Sequence, residues 1–95
     1  PMPRYVIERD FGNVGDDEML EIAVLSKTIG IEQFPDITWE HSHVCSDDVG
    51  AVRMFCVYEA PSEERVREHA ARMGRHVVMH VYEIAGDITP DEITV

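Results

Sequence analysis

Along the chain, stretches in which apolar and polar residues alternate give way twice to apolar residues spaced three and four apart, and glycines and prolines mark the boundaries. RYVIERD, Arg4 to Asp10, is rich in strand formers and predicts a first strand. FGNVGDDEM then supplies two glycines and an asparagine, a loop that leads into an acidic helix start with Asp16 or Asp17 as N-cap. From there Met19, Ile22, Ala23, Ser26 and Ile29 recur at helical spacing, and Gly30 is expected to end the helix. FPDITWEHSHV predicts a second strand after a Pro-Asp turn. SDDVGAV predicts a hairpin turn and VRMFCVYEA a third strand. PSEERVREHAARMG carries the clearest helix signal: Ser62 as N-cap, Glu63 and Glu64 in the first turn, Gly74 as the stop, and an inward stripe of Val66, His69, Ala70 and Met73. HVVMHVYEIAG predicts a fourth strand. Residues 86–95, broken by Pro90, read as an extended arm.

The order β-α-β-β-α-β is the split βαβ pattern of an α+β, ferredoxin-like fold, an antiparallel sheet with two helices on one face and the first and third strands at its centre. One such domain accounts for residues 1–95, with its core at about 3–85. The strands are apolar at both parities: Phe55 and Val57 alternate with Met54, Cys56 and Tyr58, and Val77, Met79 and Val81 with Val78, His80 and Tyr82. A sheet that is apolar on both sides, in a fold that covers only one, predicts a homodimer.

Composition narrows the partners. With 44% hydrophobic and 28% charged residues the chain has the balance of a globular protein rather than a disordered or fibrous one. Nineteen acids against eight bases give a formal charge of −11, and Lys27 is the sole lysine. That field repels nucleic acid and anionic membrane surfaces and attracts cations. No apolar run approaches the roughly 20 residues of a membrane span, and PMPRYVIERD does not have the form of a signal peptide, so the expected location is cytoplasmic. Cys45 and Cys56 are too few for a disulfide framework and read as reduced thiols.

The candidate chemistry gathers in TWEHSHVCSDD, Thr38 to Asp48. On a strand, Trp39, His41, His43 and Cys45 are expected to share one face. Two imidazoles two residues apart can converge on one divalent ion, and imidazole suits nickel, copper, iron and zinc alike. His69, on the inward stripe of the second helix, needs a buried partner: a carboxylate such as Glu59, or a metal shared with His41 or Glu59. Glu59 ends the third strand beside the second. Paired residue numbers summing to 98 put Phe55, Val57 and Glu59 on the histidine face, and a sum of 97 puts Met54, Cys56 and Tyr58 there; the sequence leaves both open. His80 lies on the opposite edge strand, within reach of His41 only across a dimer. No nucleophile triad, phosphate loop or paired-carboxylate motif stands out. Pro1, a secondary amine, is the base that tautomerases use, but the second proline of PMP separates it from the strand and no catalytic use is expected.

YVIER, W-x-HS at Trp39 to Ser42, CVYEAP at Cys56 to Pro61 and REHA at Arg67 to Ala70 occur in this order. Across about residues 3–85 the chain resembles a family of small ferredoxin-like nickel-binding proteins, most of whose members carry only an unknown-function label. The resemblance implies a homodimer with a divalent metal site near the subunit interface. His41, Glu59 and His69 match the family's recurrent polar residues. His43 departs from it, since an aromatic residue is common there, and the hairpin VCSDDVGAVRM is longer. The reading is therefore a cytoplasmic homodimer that binds a divalent transition metal, nickel foremost, through His41, His43, Glu59 and His69, in a sequestering or sensing role. Its rivals are a dimeric α+β-barrel enzyme of the cofactor-free monooxygenase or isomerase type, using His69, His41 and Tyr58 as acid, base and hydrogen-bond donor, and a protein-interaction module without a small ligand.

Overall fold

A strand of nine residues, β1 (Arg4–Gly12), opens the fold, longer than RYVIERD because Phe11 continues the inward parity of Tyr5, Ile7 and Arg9. The computed structural model describes residues 2–95, and the reading of Pro1 lies outside them. Helix α1 (Asp16–Gln33) has Gly15, not Asp16 or Asp17, as its N-cap; both aspartates lie with Glu18 in the first turn, against the positive end of the helix dipole. Gly30 does not stop it. Burial of Ile29 before it and Phe34 after it carries the helix through to Gln33, outweighing the ~1 kcal/mol that a mid-helix glycine costs.

Strands β2 (Thr38–Ser46) and β3 (Val52–Glu59) form a hairpin whose turn is tied by Asp47: its amide donates to the Ala51 carbonyl at 2.9 Å and its carboxylate accepts from the amides of Val49 and Ala51. Gly50 takes the positive φ of 82° that this turn requires. Helix α2 (Glu63–Met73) begins and ends as its sequence predicts, with the Ser62 hydroxyl accepting from the Arg65 amide at 3.2 Å and Gly74 as C-cap. Its stripe of Val66, His69, Ala70 and Met73 is buried. Strand β4 (Val77–Glu83) completes an antiparallel sheet of order β2-β3-β1-β4, with the first and third strands central as expected.

Both helices cover one face of this sheet, where Tyr5, Ile7, Phe11, Met54, Cys56 and Tyr58 meet Ile22, Ile29, Val66, Ala70 and Met73. The terminal arm is not wholly extended. A 3-10 turn at Pro90–Glu92 interrupts it, and it is held near β1 by the Ile84 amide on the Arg4 carbonyl at 2.7 Å and by an Arg4–Asp87 ion pair. No helix among the described residues is long and apolar enough to cross a membrane.

Candidate functional site

The β2–β3 pairing uses both registers that the sequence left open. From Ser46 to His41 the partners sum to 98, as in His41 opposite Val57 and His43 opposite Phe55; at Trp39 opposite Tyr58 and Thr38 opposite Glu59 they sum to 97. The extra residue is Glu40, a β-bulge that breaks the alternation. Trp39 therefore does not share a face with His41, His43 and Cys45. It turns to the helix side beside Tyr58, while its indole N–H donates to the Ser42 hydroxyl at 2.9 Å.

On the uncovered face the registers line up cross-strand rows. One runs Tyr82, Val6, Val57, His41; the next runs His80, Glu8, Phe55, His43. His41 and His43 stand at the β2 edge, both exposed, with ring centroids 5.2 Å apart. Among the described residues neither ring takes part in a hydrogen bond or ion pair. At the β4 edge His80 contacts the Glu8 carboxylate through Nδ1 at 3.0 Å and stacks on Tyr82. Three strand spacings of ~4.8 Å separate these edges, too far for one ion within a chain. Glu59 shares the uncovered face at the end of β3, opposite Arg4 and Thr38. Glu40 is held there by two bonds from the Arg4 guanidinium, at 2.8 and 3.0 Å, which keep its carboxyl below the ordinary range.

His69 lies on the other side of the sheet. Helix α2 must bury its inward stripe against the covered face, whereas the β2 alternation sends His41 to the uncovered one. The two histidines therefore cannot share an ion within one chain, and the trio of His69, His41 and Tyr58 is not assembled as a catalytic set. His69 has neither a carboxylate partner nor Glu59 nearby; its Nε2 faces the Ser26 carbonyl at 3.4 Å, Nδ1 has no partner, and its ring packs edge-on against Phe34. Burial, then the positive charge of Arg9, lowers its pKa below the ordinary imidazole value.

Beside His69 a cleft of about 410 Å³ opens between α1 and the β2 edge, lined by Ser26, Lys27, Ile31, Trp39, Tyr58 and His69 among others. Beneath it lies Arg9, which the sequence reading missed. Its side chain is only 1% exposed, donates to the Tyr58 hydroxyl at 2.7 Å and reaches the Met73 sulfur at 3.5 Å. The available signal was parity, an arginine in step with Tyr5, Ile7 and Phe11. Burial raises the Tyr58 pKa to about 12, against the opposing pull of Arg9, so the phenol stays protonated.

Two helices over one face of a β2-β3-β1-β4 antiparallel sheet define a ferredoxin-like α+β protein. The solution structure of the C-terminal domain of the MgtC protein from Mycobacterium tuberculosis is similar in fold, with a TM-score of 0.60 and 10% identity over 90% of this chain and 88% of that one. No curated protein sequence matches significantly. Residues 5–84 match the model of the family described as Nickel responsive protein SCO4226-like, and the chain belongs to that family.

Proposed function

We propose that this protein binds a divalent transition metal, nickel foremost, as the cargo of a sequestering or sensing role in the cytoplasm. The observation that carries the reading is the His41–His43 pair: two exposed imidazoles 5.2 Å apart and otherwise uncommitted, in a protein of charge −11 whose family is described as nickel responsive. Imidazole donors at ~2.0–2.1 Å from one ion suit zinc and its neighbours, nickel included. An exposed Cys45 and a buried Cys56, both unpaired, suit a reducing compartment.

Among the described residues, no group of three or more His, Cys, Asp or Glu is placed to hold an ion. Glu59 stands on the same face without forming a cluster with the pair, so the remaining donors come from a second copy. Two sheets stacked face to face lie ~10 Å apart. A twofold axis parallel to the strands sets the β2 edge of one copy over the β4 edge of the other, so the row that ends in His43 meets the row that begins in His80. The apolar centre of the face, Val6, Phe55 and Val57, is what such a dimer buries.

Calorimetric titration of nickel, zinc and cobalt tests the site. His41→Ala and His43→Ala should each weaken binding tenfold or more with the fold intact, whereas His69→Ala should not. If the wild type takes up no divalent metal at micromolar concentration, or if both edge variants bind as it does, the reading is wrong.

A further inference from the structure

Arg9 is the feature of the molecule that metal binding leaves unexplained. Five arginines, Arg4, Arg53, Arg65, Arg67 and Arg75, pair with carboxylates. The most buried arginine has none. Among the described residues its only polar contacts are the Tyr58 oxygen and the Met73 sulfur, and its Nε is buried without a partner. A buried cation lacking a counter-charge is costly, and a chain with nineteen acids has no shortage of carboxylates to pair with it. Instead the guanidinium is spent on a tyrosine. The Tyr58 hydroxyl accepts from Arg9, has the Ser26 side chain as its other polar neighbour, and is polarised by the charge behind it.

Tyr58 lines the cleft between α1 and the β2 edge, together with Ser26 and His69. A narrow inner extension of about 10 Å³, lined by Arg9, Ser26, Trp39 and Tyr58, lies beneath and is too small to admit an ion to Arg9 itself. The His69 imidazole, 3% exposed and with Nδ1 unpartnered, stands against Tyr58 with ring centroids 5.7 Å apart. At the mouth is Lys27, exposed and in no ion pair among the described residues. The remaining wall is apolar: Ile31, Pro35, Ile37 and the Trp39 indole. Donors and positive charge at one end and along the rim, with hydrocarbon between, fit one kind of ligand.

We infer that this cleft binds a small organic carboxylate with an apolar body. The carboxylate accepts from the Tyr58 hydroxyl, with Arg9 acting through Tyr58 as its counter-charge and Lys27 drawing it in at the rim. The body lies along Ile31, Ile37 and Trp39. The site is on the covered side of the sheet, independent of the histidine pair on the other side.

Trp39 is the sole tryptophan and lines the cleft, so its fluorescence reports occupancy directly. Sodium hexanoate titrated into metal-free full-length protein should give a saturable change. Hexanol, the same body without the charge, should bind at least tenfold more weakly, and inorganic phosphate should not compete. Tyr58→Phe keeps the ring and removes the donor; Lys27→Met changes a residue exposed on the surface of α1. Each should weaken hexanoate severalfold or more, Tyr58→Phe about tenfold. The inference is overturned if hexanoate produces no saturable change, if hexanol binds as well, or if phosphate competes equally. It is also overturned if Lys27→Met and a folded Tyr58→Phe both bind as the wild type does.

Discussion

His69 and His76 are the side chains through which acid first acts on this fold. Burial lowers the pKa of both, opposed at His69 by the Ser26 carbonyl and at His76 by the Gly74 carbonyl. In the unfolded chain each imidazole takes up a proton near pH 6.5, and in the folded chain only at lower pH. Between those two values the unfolded state holds more protons, so stability is complete above pH 6.5 and falls as pH drops towards the folded pKa. A second loss follows further down. Pairing with Arg4 and Arg65 depresses Glu40 and Asp36, and backbone amides depress Asp47, so their contribution is present above the ordinary values of 4.5 and 3.8 and lost below them. Thermal midpoints measured from pH 8 to pH 3 should therefore fall in two steps. His69→Gln with His76→Gln should remove the upper step and leave the lower one; a double variant that still softens near pH 6 contradicts this assignment.

Gly30 shows what an element gains and loses by tertiary demand. A Cβ built there meets nothing closer than the His69 Nε2 at 3.9 Å, an ordinary van der Waals distance, so Gly30→Ala should stabilise α1 by up to about 1 kcal/mol in urea unfolding. Ser62→Ala, which removes the α2 cap, should cost ~1 kcal/mol by the same measurement. The six regular elements were legible because their periods are clear, and α2 was legible to the residue because cap, stripe and stop all agree. The α1 terminus was misread because the burial of Phe34 is a tertiary fact that outweighs a local glycine signal. In β2 the limit was different. Polar residues stand on both of its faces, so no hydrophobic pattern fixes its register, and the bulge at Glu40 exists only in the pairing with β3. The adjacency of His41 and His43 follows from spacing alone and was readable. The separation of His69 from them depends on which face the helices cover. Arg9 stayed hidden because a charged residue at an inward position reads as noise in an otherwise apolar alternation.

At the scale of the whole molecule the proposed dimer and the proposed metal site fall on the same uncovered sheet face. Its centre is apolar, Val6, Phe55 and Val57, and its two edges carry His41 and His43 on one side and His80 on the other. Two copies each of charge −11 repel one another, so burial of that centre works against the net field, and added salt should tighten the dimer. In the proposed dimer a divalent cation held between the edges should act in the same direction, neutralising charge where the copies meet. Anything that binds the dimer better than the monomer must, by linkage, favour the dimer. Sedimentation at micromolar concentration should give about twice the 10.8 kDa chain mass, and nickel should lower the dissociation constant of the dimer. Phe55→Glu places a second carboxylate directly beside Glu8 on this face without touching the helix-covered core, so it should yield a folded monomer. That monomer keeps His41 and His43 but loses the facing His80, and its nickel affinity should fall at least tenfold together with the dimer. A folded monomeric variant that binds nickel as tightly as the wild type would place the whole site within one chain; a wild type that is itself monomeric would leave the apolar centre exposed and remove the reason for the second copy.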